Sequence, residues 1–390
     1  MTNRLGNENS HTPVVVERPE DVVRLAERLA RSPLIGIDTE SNSMHCYFEK
    51  VCFLQIQAGQ ETFIVDTVRI RDLSPLLPVM ADPGIKKVLH GADYDVVCLR
   101  RDFGLTFRNL FDTMLAAQLL EKPGLGLAAL CEAYFQVKLD KSLTRHNWGQ
   151  RPLEAKYLRY LVEDVLHLER LHEILSGELA ERDLAEEAGC EFARVGDLEW
   201  KPKEVDPDRF MRVKGAQDLD ALERTVLREL FNARETLARE LDFPPFMVVA
   251  PERMLLVAKR RPQAFRDFVD MVRPPRRSSE AEVRSLFDAV QRAVKGEVPL
   301  EEKKRRPRAR PDPRLAQCED DLRAWRGARA AIEKKPPFAI LPNHLIAAIL
   351  DKRPRSVAEF SELPYVGARR AERNGPEVVE IVARAFGAAD

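Results

Sequence analysis

Apolar positions form short runs over the first ninety residues and follow a helical period after that. The runs predict strands at residues 13–17, 34–38, 51–57, 62–66 and 86–90. Amphipathic helices are predicted at residues 19–31 and 71–80, and residues 93–190 have an almost entirely helical pattern. Strands that come first and helices that follow predict an α/β or α+β domain of about 200 residues.

Beyond residue 200 the strand pattern disappears and two helical stretches resemble each other. The segments 244–246 (PPF) and 261–262 (RP) recur as 336–338 and 353–354, in both cases 92 positions later. This matched spacing predicts two duplicated helical modules of roughly 75 residues. Between them, residues 296–313 carry prolines and the basic run from Lys303 to Arg310, which predicts a linker.

The charge of the chain divides at the same place. The 390 residues carry 62 basic and 63 acidic side chains, a net charge of -1. Residues 1–200 hold 23 basic and 32 acidic side chains (net -9), whereas residues 201–390 hold 39 and 31 (net +8). An acidic half joined to a basic half indicates two regions with different partners. A content of 44% hydrophobic and 32% charged residues excludes wholesale disorder.

Several classes of protein are excluded by simple patterns. No apolar stretch approaches the roughly 20 residues of a membrane span. Residues 1–12 are polar and lack the apolar segment of a signal peptide, so a flexible N-terminus is expected. The six cysteines are scattered without a CxxC pair, which is typical of reduced thiols. We therefore expect a cytoplasmic protein that has no membrane association and no obligate protein partner.

Acidic residues stand at unexpected places in two segments of the first half. Asp38 and Glu40 lie two positions apart on a predicted strand, so both side chains project from the same face. A strand end that reaches solvent would explain this pair equally well. In the segment HGADYD, Asp93 or Asp95 can cap the helix that follows, which leaves the other carboxylate without a structural role.

Asp164 interrupts an apolar stripe on a predicted helix, one turn after Tyr160 on the same face. A buried carboxylate needs a partner, and no basic residue shares that stripe. Carboxylates from a strand, a helix start and a later helix can converge into an oxygen-rich site for Mg²⁺ or Mn²⁺. Zinc is disfavoured, because the histidines show neither HExxH nor Cys/His spacing.

Taken together, these motifs resemble a known family. Asp38-Thr39-Glu40, Asp95, and Tyr160 with Asp164 resemble, in this order, the DEDDy class of 3′–5′ exonucleases. The segment 140–148 (DKSLTRHNW), followed by Arg151-Pro152-Leu153, is similar to ribonuclease D. The duplicated modules resemble the HRDC (helicase and RNase D C-terminal) domain, of which ribonuclease D has two. The resemblance covers about residues 13–386.

The resemblance implies a fold and a domain order. An α/β RNase H-like exonuclease domain, a mixed sheet flanked by helices, is expected at residues 13–200. Two small all-α HRDC-like domains are expected at residues 215–295 and 314–388, on either side of the linker.

The resemblance also implies roles for individual residues. Asp38, Glu40, Asp95 and Asp164 are expected to bind two divalent metal ions, Mg²⁺ or Mn²⁺, and Tyr160 to orient the attacking water. Asp93 is then the expected helix cap, and Asp112 is expected to cap the next helix. Contacts with RNA beside the metals are expected from Gln55, His90, Arg145, His146, Trp148 and Arg151. For Trp148 a place in the core is the competing interpretation.

The function implied is removal of nucleoside 5′-monophosphates from RNA 3′ ends, in tRNA precursors and small structured RNAs. Basic clusters in the second half favour contact with the RNA backbone, and one module is expected to contribute more than the other. They are Lys259-Arg260-Arg261, Arg273, Arg276-Arg277, Lys303–Arg310, Lys352-Arg353 and Arg369-Arg370. Two alternatives remain: a DNA 3′–5′ exonuclease, and a non-catalytic RNA-binding protein that uses the HRDC pair.

Overall fold

The computed structural model describes residues 12–140, 142–202, 206–276, 278–301 and 312–387. They form two compact units. The first contains the described parts of residues 1–40, 51–200 and 308–390, and the second those of residues 41–50 and 201–307. The predicted flexible N-terminus (except Thr12), the basic run from Lys303 to Arg310, and Arg277 lie outside the described residues. In the part of the chain described, no helix combines the length and the apolar character needed to cross a membrane.

A mixed sheet of six strands organises the first unit. The strands are β1 (Val14–Val16), β2 (Leu34–Ser41), β3 (Val51–Ala58), β4 (Glu61–Asp66), β5 (Lys86–Leu89) and β6 (Leu110–Asp112). Their order across the sheet is β1-β4-β3-β2-β5-β6. β3 and β4 are antiparallel, with Ala58 opposite Glu61 across the predicted hairpin turn, whereas the pairs β1–β4, β2–β5 and β5–β6 are parallel. β2 therefore lies in the interior of the sheet.

Helices flank this sheet and bury their apolar faces against it. They are α1 (Pro19–Leu29), α2 (Leu77–Ala81), α3 (Asp93–Phe103), α4 (Thr113–Leu119), α5 (Leu127–Phe135), α6 (Ala155–Leu166), α7 (Leu168–Glu181) and α8 (Ala185–Gly196). α1 shows why these segments are helical: it has Pro19 and two acidic residues in its first turn and buries Val22, Leu25 and Leu29 along one face. Leu168, Leu171 and Leu175 of α7 continue the same apolar core.

The predicted α/β architecture is confirmed, with two local differences. The almost entirely helical pattern predicted for residues 93–190 misses β6, a strand of only three residues that pairs with β5. The helical segment around Asp164 is also two helices rather than one, since the helical backbone is interrupted at His167. A strand this short carries too few positions for a two-residue period to be visible.

The second unit is an all-helical module. Its helices are α9 (Ala221–Glu240), α10 (Pro245–Val248), α11 (Pro251–Arg260), α12 (Phe265–Val272) and α13 (Glu280–Val294). Asp220 and Ser279 each form a capping box, at the starts of α9 and α13. The loop 41–50 belongs to this unit: the Asp242 carboxylate accepts hydrogen bonds from the backbone N–H groups of Tyr47 and Phe48, at 3.0 and 2.8 Å.

A second helical module lies in the first unit. Its helices are α14 (Pro313–Glu333), α15 (Pro337–Ile340), α16 (Asn343–Lys352), α17 (Val357–Ser361) and α18 (Ala368–Phe386). α15 and α16 begin 92 positions after α10 and α11, in agreement with the repeat in the sequence. The module packs on the acidic residues of α8 and its flanks, which we call the docking face: Asp183, Glu186, Glu187, Glu191 and Asp197.

Candidate active site

Three carboxylates converge on one face of the central sheet. Asp38 and Glu40 project from β2 and Asp164 projects from α6, and one ligand oxygen of each lies within 4.8 Å of the other two. The face of β2 that contains Gly36 lies beside Gln57 of β3 and against α7. A Cβ added at Gly36 would lie 3.4 Å from Gln57 and 3.3 Å from Leu168 of α7. Alternation along β2 then directs Asp38 and Glu40 toward the helices α6 and α7.

The electrostatics of this carboxylate cluster are unfavourable without a cation. Burial and the negative charges of Asp95, Asp164 and Glu40 raise the pKa of Asp38 well above its ordinary value. Burial together with Asp164 and Asp95 raises the pKa of Glu40 to about 9. Burial also raises the pKa of Asp164. The charges that act on Asp38 and Glu40 are all negative, so a hard cation bound among these oxygens would relieve both the repulsion and the desolvation.

Asp95 and Asp93 have different surroundings at the start of α3. Asp95 is buried, accepts a hydrogen bond from the Thr39 hydroxyl, and acts on the pKa of Asp38, whereas Asp93 is exposed. Asp95 is not among the three carboxylates whose oxygens lie within 4.8 Å of one another. The predicted capping role of Asp93 is wrong, since the N-cap residue of α3 is Ala92 and the helix has no side-chain capping bond.

Asp112 caps α4 and also binds two backbone N–H groups just before α3. Its carboxylate accepts hydrogen bonds from the backbone N–H groups of Met114 and Leu115, which confirms its predicted role at the start of α4. It also accepts bonds from Gly91 and Ala92, at 2.9 and 2.8 Å. This buried side chain therefore holds the first residues of α3 and α4 together and fixes the position from which Asp95 projects.

An aromatic cluster surrounds Tyr160 on α6; it consists of Phe53, His146, Trp148, Tyr157 and Tyr160. The Trp148 ring lies 5.6 Å from the Tyr160 ring, and His146 stacks on Tyr157 at 3.9 Å. The Tyr160 hydroxyl forms a hydrogen bond with Thr144. Burial, with the charges of Asp164 and Glu40, raises the pKa of Tyr160, so the phenol keeps its proton at neutral pH.

Three of the predicted RNA contacts are buried or engaged within the fold, and their contact with RNA stays a prediction. Trp148 is 1% exposed and belongs to the core, as the competing interpretation held. All five N–H groups of the Arg151 guanidinium donate within the fold, to Asp66 and to the carbonyls of Cys52, Trp148 and Gln150. Gln55 is wholly buried, on the face of β3 beside the carboxylate cluster, and its amide has no hydrogen-bond partner among the described residues.

The other three predicted contacts differ in accessibility. His90 is half-buried and its Nδ1 lies 2.9 Å from the Thr113 hydroxyl; burial lowers its pKa, so the ring is neutral at pH 7. His146 is half-buried within the aromatic cluster, and Arg145 is exposed. Their contact with RNA stays a prediction.

One basic cluster in the second half is not available for RNA. Arg370 is 2% exposed and donates to the backbone carbonyls of Tyr365, Val366 and Ala339. Arg369 pairs with Asp183 of the docking face. The prediction that Arg369-Arg370 contacts the RNA backbone is therefore wrong, since both side chains serve the packing of the second module.

Sequence reasoning missed two parts of the site. Thr39 bonds Asp95, although strand alternation directs its side chain away from Asp38 and Glu40, so no pattern in the sequence pointed to it. The aromatic cluster around Tyr160 joins residues from β3, α6 and the loop between α5 and α6. Its only signal is the aromatic content of residues 146–160, which is equally compatible with packing unrelated to the site.

Comparisons with known proteins agree with this geometry. Residues 13–180 match the family of 3′-5′ exonuclease domains, and residues 223–277 and 316–382 each match the HRDC domain. Protein RRP6-like 3 of Arabidopsis thaliana is 39% identical over 173 residues, 44% of this chain and 19% of that protein, so the chain spans about a fifth of that relative.

Two further relatives match more of their own length. The crystal structure of Escherichia coli RNase D has 23% identity and a TM-score of 0.62 over 96% of this chain and 99% of its own, which shows a shared fold. A ribonuclease D of Desulfotalea psychrophila is 30% identical over 250 residues, which cover 64% of this chain and 67% of that protein. With a 3′–5′ exonuclease domain followed by two HRDC domains, the chain belongs to the ribonuclease D family.

Proposed function

We propose that this protein is a 3′–5′ exoribonuclease that hydrolyses the terminal phosphodiester of RNA and releases nucleoside 5′-monophosphates. The observation that carries the proposal is the carboxylate cluster: Asp38, Glu40 and Asp164 within 4.8 Å, in a domain of the 3′-5′ exonuclease family. Asp183 of the docking face has arginine and lysine partners, whereas the charges that act on Asp38 and Glu40 come from other carboxylates.

The donor set fits hard divalent cations. All three clustered ligands are carboxylates, and Asp95 lies close enough to act on the pKa of Asp38. We propose that Asp38, Glu40, Asp95 and Asp164 hold two ions, Mg²⁺ or Mn²⁺. When bound, such a pair lowers the pKa of a water and stabilises the charge that develops on the leaving oxygen. Ionised carboxylates are needed to hold these ions, and bound cations would return the raised pKa values toward their usual range.

Tyr160 is proposed to position the attacking water rather than to remove its proton. The raised pKa keeps the phenol protonated at neutral pH, so its oxygen can donate or accept a hydrogen bond but cannot act as a base. The contacts with Trp148 and Thr144 hold the ring in one orientation, one helical turn before Asp164. A fixed hydroxyl beside the carboxylate cluster would orient a water for in-line attack.

The substrate is proposed to be RNA with a free 3′ end, including tRNA precursors and small structured RNAs. Escherichia coli RNase D, whose fold this chain shares, is an exoribonuclease involved in structured RNA processing. The family relationship supports the carry-over to this chain. A cytoplasmic location remains a prediction from the sequence.

One assay distinguishes this function from its two alternatives. A 5′-labelled RNA and a DNA of the same sequence are each incubated with the protein, with Mg²⁺, with Mn²⁺ and with EDTA. We expect a ladder of RNA products shortened from the 3′ end, with nucleoside 5′-monophosphates released and no reaction in EDTA. A 3′-phosphorylated RNA is the control for a free end. Faster shortening of DNA would favour the DNA exonuclease, and binding without hydrolysis would favour the non-catalytic scaffold.

A further inference from the structure

A groove of about 850 Å³ lies between α11 and α12 in the second unit. Four arginines line it, Arg253, Arg260, Arg261 and Arg273, together with the carboxylates Glu252, Asp267 and Asp270. Leu256, which is 42% exposed, supplies an apolar patch beside them. The groove therefore offers cations, acceptors and an apolar surface to one ligand.

The arginines of this groove are available for a ligand. Arg253 donates one bond, to the carbonyl of Met271 at 3.0 Å. Within the described residues, Arg260, Arg261 and Arg273 form no ion pair or side-chain hydrogen bond. Arg261 and Arg273 end α11 and α12 in the left-handed conformation, with φ of 48° and 47°. A guanidinium has five donors in a fixed fork that matches phosphate geometry.

The second module differs at this surface, although its helices repeat the same positions 92 residues later. The equivalent of Arg261 is Arg353, which also ends its helix with a positive φ but lies 4.4 Å from the Phe386 ring. The equivalent of Arg273 is Tyr365, whose hydroxyl donates to Asp197 of the docking face.

The positions equivalent to the other two groove arginines also differ between the two modules. The equivalent of Arg253 is Leu345, which is buried, and that of Arg260 is Lys352, which pairs with Asp351 at 3.2 Å. Each of these positions in the second module thus has a contact within the described residues, whereas among the four groove arginines of the first module only Arg253 donates a side-chain hydrogen bond there.

The three carboxylates favour RNA over other polyanions. Guanidinium groups contact phosphates of RNA and DNA alike. A carboxylate only accepts hydrogen bonds, and in a nucleic-acid backbone the 2′-hydroxyl of ribose is the donor that it can accept from. Asp267 and Asp270, on the groove side of α12, are therefore suited to a ribose and would only repel a deoxyribose backbone.

We propose that the α11–α12 groove of the first HRDC domain binds the sugar–phosphate backbone of RNA, with its arginines on phosphates and its aspartates on 2′-hydroxyls. The inference rests on the proposed function, since it names how that substrate is held outside the metal site. In this proposal the second HRDC domain has a structural role.

Matched arginine variants of the full-length protein test the proposal. Binding of a fluorescein-labelled single-stranded RNA of about 16 nucleotides is measured by anisotropy in EDTA, which prevents hydrolysis. The double variant Arg260→Gln, Arg261→Gln should bind about tenfold more weakly, and the log–log salt slope should fall by about 1.4, at about 0.7 per lost phosphate contact. The matched control Lys352→Gln, Arg353→Gln should change binding less than about twofold.

The aspartates are tested with the same RNA and a DNA of the same sequence. The double variant Asp267→Asn, Asp270→Asn should reduce the ratio of RNA to DNA affinity, because an amide no longer repels the DNA backbone and accepts more weakly from a 2′-hydroxyl. An unchanged ratio would overturn the assignment of the aspartates. Unchanged RNA affinity in the arginine variant, or an equal loss in the control variant, would overturn the proposal that the groove binds RNA. A protein would then be the alternative ligand.

Hydrolysis of a dinucleotide separates this proposal from the proposed function. A dinucleotide has a single phosphodiester, which is consumed at the metal site, so the arginine variant should hydrolyse it at the wild-type rate. If the wild-type protein hydrolyses no RNA, the proposed function fails, while the anisotropy result still decides whether the groove binds RNA.

Discussion

Two acidic regions of the first unit have opposite surroundings. In the docking face, Asp183 pairs with Arg369, Arg373 and Lys335, and hydrogen bonds from the two arginines lower its pKa to about 2. In the carboxylate cluster, burial and neighbouring carboxylates raise the pKa of Glu40 to about 9. The fold supplies its own cations where acidic residues serve assembly. In the carboxylate cluster the charges that act on Asp38 and Glu40 are all negative, so we expect a cation from solution to bind there.

The largest effect that we expect comes from removing one member of the carboxylate cluster. Asp164→Asn should reduce RNA hydrolysis by about 1,000-fold or more, because losing a metal ligand removes several kcal/mol of transition-state stabilisation. RNA affinity in EDTA should stay within about twofold, since the groove and other contacts are unaltered. Hydrolysis at the wild-type rate in saturating Mg²⁺ or Mn²⁺ would contradict the assignment. Asp93→Asn, at an exposed position, is the matched control and should remain active.

A smaller effect is expected from the hydroxyl beside the cluster. Tyr160→Phe should slow single-turnover hydrolysis by about 10- to 100-fold, since the ring still packs but no longer orients water. The concentration of Mn²⁺ that gives half-maximal activity should not change. Equal single-turnover rates in the variant and the wild type would remove the tyrosine from the mechanism. Tyr157→Phe, which alters a neighbouring ring of the aromatic cluster, controls for packing.

Without metal, the carboxylate cluster should make the stability of the protein depend on pH. The folded pKa of Glu40 is raised from 4.5 to about 9, so between these values the folded state holds a proton that the unfolded state has released. Stability in EDTA should therefore fall as pH rises through this window, and added Mg²⁺ should oppose the fall. Thermal melts from pH 5 to pH 9 measure it. Glu40→Gln should flatten the profile, and an unchanged slope in that variant would assign the effect to other groups.

The stability that the docking face contributes should depend on pH in the opposite direction. This is the smallest effect that we expect. The pKa of Asp183 is lowered from 3.8 to about 2, so its contribution is present above the unfolded value and is lost as pH falls toward 2. Because these ion pairs are exposed, the loss should be modest and should shrink in high salt. Melts of Asp183→Asn against wild type at low and high salt measure it. An equal deficit at both salt concentrations would contradict an electrostatic origin.

The sequence predicts the strands and the positions of the acidic residues well, because both depend on local pattern. Alternation alone places Asp38 and Glu40 on one face, and the helical period places Tyr160 one turn before Asp164, as the structure has them. The DEDDy resemblance then selects Asp95 over Asp93, and the structure buries Asp95 and exposes Asp93.

What the sequence misses depends on contacts between distant segments. Arg151 and Arg370 look like surface cations in the sequence, yet each donates to carbonyls that only the folded chain brings near. The sequence predicts the nearest acidic residue as the cap of α3, whereas the backbone N–H groups just before this helix bind Asp112, which the β5–β6 pairing brings near. Local rules cannot find such partners, because the sheet creates them.

Asp112 has a consequence for interpreting loss-of-function screens. Its carboxylate holds four backbone N–H groups at the starts of two helices, and its replacement would leave buried donors unsatisfied at about 1–3 kcal/mol each. A mutational scan would therefore score it as indispensable, as it would a metal ligand. Melting temperature separates the two classes. An inactive variant with a normal melting temperature has lost a catalytic group, whereas an inactive variant with a lowered melting temperature has lost a structural contact.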